Sequence, residues 1–341
     1  MNRLERRYYI NEDGSEDNLV QSVDCIEKIL YHALRDYEGI DYIYAFCDDI
    51  NICHNQYSDE SKFLITSSKL NLNRKLFNYK IKSVLPHHAI ASVEKAIDNG
   101  VCIAVCTMFD MLPPYYWYQK PSKIGVSNTH WCLIVGYDKE NLFFADSPDM
   151  LVAERMQTYP SNPTIGIISK SIMVEAFKKY CALLTVNINT KELPHIDNFD
   201  EVFKAVLLNY YTPSIVKDGV IFNKGRSALV AMIQSAEHTK FLDHVAGDYY
   251  IFYLQAKRRE IFKSCMIDKQ SRYTDIKSTL EALDASIKSW NALHYLFMRH
   301  YHQPYKNLRE RMQKMIADMI SLEDQVVNAL SKIVFTRDKS E

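Results

Sequence analysis

Cys25 is the residue whose surroundings most favour nucleophilic chemistry. It follows Asp24 in "DCIEKIL", where a loop gives way to a predicted amphipathic helix, and Asp24 with Glu27 fits a capping box. A thiol in the first turn of a helix faces unpaired backbone N–H groups and a partial positive charge, which stabilise its thiolate. The two acidic neighbours oppose thiolate formation, so the pattern requires a base from another segment. The alternative is that Cys25 is a small core residue of the helix.

"THWCLIVGYDKENLFFADSP" (129–148) supplies a candidate base and a group that orients it. Its two β-rich runs flank a charged turn, which predicts a hairpin. A three-residue turn pairs Gly136 with Glu140. In that register His130 lies directly opposite Asp146, with the two Cβ atoms about 5 Å apart. The carboxylate can then fix the imidazole tautomer, and the pair completes a candidate catalytic triad with the cysteine.

Gln21 precedes the predicted helix by a few residues and is a candidate oxyanion donor. Its side-chain amide can donate a hydrogen bond to the oxyanion that forms on an acyl group at Cys25. Such a donor lowers the barrier to acyl transfer by about 3 kcal/mol. The four residues together predict acyl transfer through a thioester.

The elements that must position these residues occupy the first half of the chain, where helix and strand signals alternate. A helix is predicted over 87–100 and a buried strand over 101–109, whereas the proline-rich segment 148–168 is predicted to be a loop. From about residue 200 the pattern is almost wholly helical. We therefore expect a catalytic domain at 1–195 and a helical domain at 196–341, which covers the active-site side.

Composition gives no support for several classes of partner. The 341 residues carry 42 acidic and 41 basic side chains, so net charge gives no support for nucleic acid or a membrane surface as a partner. No signal peptide or long apolar span is evident, and a cytoplasmic protein is expected. The 8 cysteines lack the short paired spacings of a zinc site, so we expect reduced thiols and no metal.

Three stretches resemble known protein families. "Q…DCIEKIL" (21–30) is similar to the start of the nucleophile helix in papain-like peptidases that cut double-glycine leaders, although this chain has Ile26 where those have glycine. "AIDNGVCIAVCTMFDMLPPYYWYQ" (96–119) and the segment 129–148 resemble the N-terminal domain of butirosin-type acyltransferases. That family has an Asp-Pro at the end of the motif, where this chain has Asp-Ser-Pro with Ser147 inserted.

The resemblance implies an α+β papain-like cysteine-protease fold with an antiparallel sheet and an N-terminal nucleophile helix, followed by a mainly helical C-terminal region. It implies an acyltransferase that forms an amide in antibiotic biosynthesis. The acyl group comes from the phosphopantetheine thioester of a carrier protein, the acceptor is a small-molecule amine, and the enzyme itself binds no cofactor. By position, Cys25 is the nucleophile, His130 the general base, Asp146 its orienter and Gln21 the oxyanion donor. The alternatives are a cysteine peptidase or amidase and a non-catalytic scaffold that binds carrier proteins.

"FDMLPPYYWYQKP" (109–121) is richer in aromatic residues than a surface loop requires. It is either a rigid loop that closes the core or a wall of the acyl pocket, because aromatic faces suit a flat or apolar acyl group. The second interpretation makes Tyr115, Tyr116 and Trp117 substrate contacts and Asp110 a ligand for the acceptor amine.

Three other groups of residues have a simpler structural interpretation. "CDDINICH" (47–54) is rich in metal-ligand types but has no standard spacing, and Cys102 with Cys106 lacks a third ligand. The basic run "KRR" (257–259) is typical of a solvated helix face, or of a surface that meets an acidic carrier protein.

Overall fold

The computed structural model describes the chain at residues 3–5, 8, 25–38, 50–57, 63–67, 76–119, 129–192, 199–217, 219–247, 249–268, 270, 273 and 276–338. Gln21 and Asp24 lie outside these residues, so the predicted oxyanion donor and helix cap are not described. No helix within them is both long and apolar enough to cross a membrane.

Helices and antiparallel strands make up the described elements. The helices are α1 (Cys25–Glu38), α2 (Pro86–Asp98), α3 (Lys170–Lys179), α4 (Phe199–Tyr210), α5 (Gly225–Ser235), α6 (Thr239–Gly247), α7 (Tyr250–Asp268), α8 (Lys277–His302) and α9 (Leu308–Asp338). The strands are β1 (Ile52–Tyr57), β2 (Phe63–Ser67), β3 (Phe77–Ser83), β4 (Cys102–Met108), β5 (Thr129–Tyr137), β6 (Asn141–Ala145), β7 (Gln157–Tyr159), β8 (Asn162–Ser169), β9 (Ala182–Ile188), β10 (Ile215–Lys217) and β11 (Val220–Lys224). The predicted α+β class, with antiparallel sheets and a helical C-terminal region, is confirmed.

The chain forms two compact units. The first contains residues 1–43 and 74–193, and the second contains 44–73 and 194–341. We expected residues 44–73 in the first unit, but β1 and β2 join the four-stranded sheet of the second unit, in the order β10-β11-β1-β2. The boundary near residue 195 otherwise coincides with the one in the structure.

The first unit is built on a seven-stranded sheet whose centre is covered on both faces. Its order is β3-β9-β4-β5-β6-β8-β7, and neighbouring strands are antiparallel. In β4 the residues from Cys102 to Thr107 are all buried, without the alternation of a one-sided strand. Ile103 and Val105 belong to a core that includes residues of α2 and α3. Helix α1 also contacts β4, β5 and β9, and therefore covers the opposite face.

The predicted hairpin is present, but the predicted pairing register of its two strands is wrong. Gly136 pairs with Phe143, not with Glu140, and a bulge interrupts the pairing between Ile134 and Gly136. The turn is closed by the Asp138 carboxylate, whose Oδ1 accepts the backbone N–H of Glu140 at 2.8 Å and of Asn141 at 2.7 Å. An Asx-type turn and a bulge thus replace the simple three-residue connection.

The loop predicted over 148–168 is also wrong in part, because it contains β7 and most of β8. Strand β8 pairs with β6 and places Gly166 opposite Phe144. A Cβ atom at Gly166 would lie 2.4 Å from the Phe144 ring, so only glycine fits beside that ring. Glycine in a sequence often marks a loop, but Gly166 lies within a strand and allows close packing there.

The second unit buries most of the basic run in α7. Arg258 and Arg259 are 0% and 2% exposed, so the predicted basic surface for a carrier protein is wrong at this position. The Arg259 Nε donates to Glu323 Oε1 at 2.9 Å, and the same oxygen accepts the Trp290 Nε1–H at 2.8 Å. Lys257 is partly exposed and pairs with a glutamate one turn along the helix. Two of the three basic side chains are therefore buried among the helices, and Arg259 is held there by the Glu323 carboxylate.

Candidate functional site

His130 and Asp146 form a buried pair at one end of the sheet. Their Nε2 and Oδ2 atoms are 2.6 Å apart, and the residues are 9% and 4% exposed. His130 is the second residue of β5, and Asp146 follows the last residue of β6. Leu133 pairs with Ala145, so Asp146 comes one position further along, and His130 is its diagonal neighbour on the same face. The predicted contact exists, although the residues are not directly opposite each other.

Three donors hold the Asp146 carboxylate. Oδ2 accepts the Tyr115 hydroxyl at 2.8 Å as well as the imidazole, and Oδ1 accepts the backbone N–H of Ser147 at 2.7 Å. Burial, together with the negative charge of Asp146, raises the pKa of Tyr115 well above its ordinary value. The hydroxyl therefore stays protonated and donates. A carboxylate with three donors has little freedom to rotate.

The carboxylate sets the tautomer of His130. Because it only accepts hydrogen bonds, Nε2 carries the proton, and Nδ1 of the neutral ring has the free lone pair. Within the described part of the chain Nδ1 makes no hydrogen bond. The Phe109 ring lies 4.2 Å from the imidazole, centroid to centroid, and fixes its plane. Nδ1 is thus the atom that can take a proton from a nucleophile.

Cys25 is the first residue of α1 and differs in exposure from the other described cysteines. It is partly exposed, whereas the other six described cysteines are buried. Burial raises the pKa of Cys106 to about 12 and that of Cys181 to about 11. Burial and the nearby Asp146 raise the pKa of Cys132 further, so these thiols resist ionisation. Among the described cysteines, Cys25 is the best candidate nucleophile.

The structure connects Cys25 to the pair indirectly. Within the described residues no hydrogen bond joins Cys25 to His130. His130 lies on the sheet face of α2 and α3, whereas α1 covers the opposite face. The Lys28 ammonium, one turn after Cys25, donates a hydrogen bond to Ser147 Oγ, next to Asp146. The start of α1 therefore lies at the same end of the sheet as the pair.

The aromatic segment contributes to the site differently from what we expected. Tyr115 is 1% exposed and bonds Asp146, so it is a positioning group and its predicted role as a pocket wall is wrong. Tyr116 and Trp117 are 53% and 37% exposed and keep surface for a ligand. Asp110 has a buried Oδ1 without a hydrogen-bond partner among the described residues.

Backbone hydrogen bonds tie this segment to the chain that follows Asp146. The N–H of Tyr116 donates to the carbonyl of Met150 at 3.1 Å, and the N–H of Val152 donates to the carbonyl of Pro114 at 2.8 Å. The two segments therefore form a small ladder beside the carboxylate.

The described residues contain no group of three metal-ligand side chains. Of "CDDINICH", residues 47–49 lie outside the described part, and Cys53 and His54 are buried in β1. The His54 Nε2 lies 3.1 Å from Ser235 Oγ, and burial lowers the pKa of this imidazole to about 4. His54 is thus a neutral core residue of the second unit.

A cavity of about 430 Å³ lies in the second unit, beside the start of α5. Neither residue of the His130–Asp146 pair lines it. Arg226 lines the cavity, and its Nε is 3.2 Å from Asp324 Oδ1, so its charge is largely compensated. We assign no chemistry to this cavity.

Two residues of the site were missed in the sequence. Lys28 stands three positions after Cys25, which places both on one side of a helix, but a lysine in an amphipathic helix is usually solvated. Ser147 stands where the Asp-Pro pattern is interrupted, and that insertion was the available signal. No family model matches the chain, and no curated protein matches it by sequence.

Proposed function

We propose that the chain is an amide-forming acyltransferase of papain-like fold. Cys25 accepts an acyl group from the phosphopantetheine thioester of a carrier protein and passes it to a small-molecule amine. The buried contact between His130 and Asp146 is the observation that carries this proposal. An imidazole held by a carboxylate, with the other ring nitrogen available, is the base that a thiol or an amine nucleophile requires.

The reaction has two steps that share His130. His130 Nδ1 takes the thiol proton, and the Cys25 sulfur attacks the thioester carbonyl carbon. The bond from that carbon to the pantetheine sulfur breaks, and the imidazolium gives its proton to the leaving thiolate. The amine nitrogen then attacks the acyl-cysteine and the imidazole takes a proton from the amine. The bond from the acyl carbon to the Cys25 sulfur breaks, and the imidazolium returns the proton to that sulfur, which restores the thiol. Gln21 and the backbone N–H of Cys25 are the proposed oxyanion donors.

Tyr116 and Trp117 support an apolar acyl group. They are exposed and follow Tyr115, which bonds Asp146, so their rings emerge near the base. In this proposal they shield the acyl-enzyme, which favours attack by an amine over attack by water.

Intact-protein mass spectrometry with an acyl-loaded carrier protein tests the proposal. We expect an adduct of one acyl group on the wild type and none on Cys25→Ala. Cys181→Ala, which removes a buried thiol of the same unit, is the matched control and should retain the adduct. His130→Ala should form the adduct at least 100-fold more slowly, because it lacks the general base.

The outcome also separates the rival functions. Adduct formation followed by amide product on addition of an amine supports the acyltransferase. Peptide cleavage without amide formation identifies a cysteine peptidase instead. Carrier binding with no adduct identifies a non-catalytic scaffold, and either of these results would overturn the proposal.

A further inference from the structure

We propose that Lys28 is a positioning residue of the acyl-transfer site: by binding Ser147 it sets the approach of the Cys25 thiol to His130. The inference rests on the proposed function. It starts from the hydrogen bond between the Lys28 ammonium and Ser147 Oγ, both of which are buried.

Lys28 connects the two halves of the site. Ser147 accepts from Lys28 through its side chain and donates through its backbone to Asp146 Oδ1, and Asp146 Oδ2 bonds His130. A continuous chain of hydrogen bonds therefore runs from the first turn of α1 to the imidazole. Because α1 and His130 are on opposite faces of the sheet, this chain passes around the end of the sheet.

The position of Lys28 on α1 places its side chain next to that of Cys25, so its charge can affect the ionisation of the thiol. Residues three apart on a helix are neighbours, with Cβ atoms about 5–6 Å apart. The two side chains therefore leave the helix side by side, and in this proposal the weakly screened charge of the buried ammonium favours the thiolate of Cys25 over the thiol. Lys28 thus also opposes the acidic side chain of Glu27, which is buried in the same turn.

Burial of an ammonium group argues for a role beyond packing. Lys28 is 6% exposed, and the burial of an ammonium group costs free energy that polar contacts only partly offset. An aliphatic residue would fill the same space at lower cost. The acceptor is Ser147, the residue that interrupts the Asp-Pro pattern, so the lysine and the inserted serine act as a pair.

Alkylation of Cys25 by iodoacetamide over a range of pH, measured by peptide mass spectrometry, tests the effect of the Lys28 charge on the thiol and needs no substrate. We expect Lys28→Met to raise the pH midpoint of alkylation by about one unit. Lys28→Arg should restore the wild-type midpoint, because it keeps the charge. Lys178→Met removes a lysine of an exposed ion pair in the same unit and should leave the midpoint unchanged.

Steady-state kinetics of acyl transfer test whether the contact of Lys28 with Ser147 positions the Cys25 thiol. Ser147→Ala keeps the charge of Lys28 but removes the hydroxyl that it binds, so we expect an unchanged alkylation midpoint with kcat lower by about tenfold and KM within twofold. Lys28→Met should lower kcat at least as much. Thermal melting of each variant separates these effects from loss of fold. If Lys28→Met does not fold, Lys28→Gln, which removes the charge but keeps a hydrogen-bond donor for Ser147, carries the same comparison.

The inference would be overturned if Lys28→Met had the alkylation midpoint and the kcat of the wild type. It would also be overturned if Ser147→Ala had the kcat of the wild type. So would losses of kcat that follow the melting temperature and are not rescued in Lys28→Arg. If Cys25→Ala leaves acyl transfer intact, the proposed function fails. The alkylation midpoints still decide whether Lys28 acts on the thiol, so the two failures are distinguishable.

Discussion

Replacement of Asp146 by asparagine probes the part of the site that the structure defines best. The carboxylate accepts from Tyr115, His130 and the N–H of Ser147. An amide has one acceptor oxygen and one donor nitrogen. If its oxygen faces Tyr115 and His130, its NH₂ group faces the N–H of Ser147, and two donors oppose each other. In the reverse orientation the NH₂ group faces both other donors.

The cost follows from these three hydrogen bonds. A hydrogen bond to a charged group contributes about 1.5–3 kcal/mol and a neutral one about 0.5–1.5 kcal/mol, so the two retained bonds each weaken by about 1 kcal/mol. The third is lost in a buried position, which costs about 2 kcal/mol more. The free energy of unfolding of the first unit should therefore fall by about 4 kcal/mol, which corresponds to a melting temperature lower by about 12 °C.

Thermal melting and transfer kinetics of Asp146→Asn measure both consequences. The neutral amide also removes the charge that stabilises the imidazolium, and we expect kcat to fall by about 10³-fold or more. Asp138→Asn is the matched control, because the exposed Asp138 carboxylate closes a turn that an asparagine closes equally well. It should change stability by less than about 1 kcal/mol.

Two results would refute this reasoning. A melting temperature of Asp146→Asn within 2 °C of the wild type would show that the carboxylate is not held by three buried donors. A destabilised variant with wild-type kcat would show that Asp146 is structural and does not orient the base.

Three further predictions concern thiol reactivity, pH and the helical unit. In the native protein iodoacetamide should label Cys25 before Cys132, whose thiol is buried and resists ionisation; peptide mass spectrometry over time measures the order. Because the folded-state pKa of His54 is about 4 and the unfolded value is 6.5, its contribution to stability is complete above about pH 6.5 and is lost as the pH falls towards 4. Between pH 7 and pH 5 the second unit should lose about 2 kcal/mol, and His54→Gln should remove that part of the pH dependence in urea titrations. Arg259→Ala should destabilise the same unit by about 3–5 kcal/mol, because it leaves a buried carboxylate without its cation, whereas Lys257→Ala should cost less than about 1 kcal/mol in the same titrations.

Local signals in the sequence predicted the elements that position His130. Helix α2 was expected over 87–100 and extends over Pro86–Asp98, with Gly100 beyond its end at a φ of 70°. Strand β4 and the hairpin of β5 and β6 were also expected. In each case a regular spacing of apolar residues is followed closely in sequence by a turn residue. The same short segment therefore contains both the signal and the element that forms.

The errors arose where distant residues decide the outcome. The register of the hairpin depends on a bulge that no residue type announces, so the contact of His130 with Asp146 was predicted from the wrong pairing. Arg259 was assigned to a surface because its carboxylate partner, Glu323, is 64 residues away in sequence. Lys28 was overlooked for the same reason, since its acceptor, Ser147, is 119 residues away in sequence. The burial of a charged side chain can be predicted from the sequence only when the residue that it binds is also known.

The ladder between the aromatic segment and the chain after Asp146 affects how the site can move. The carboxylate and its Tyr115 donor lie on two segments that exchange backbone hydrogen bonds, so they belong to one cooperative opening unit. The backbone amides of Tyr116 and Val152 should then exchange with deuterium at correlated rates. If the chain is the proposed acyltransferase, any rearrangement of the aromatic segment that admits a bulky acyl group also loosens the carboxylate that holds His130. The proposal therefore predicts that the size of the acyl group and the rate of transfer are linked.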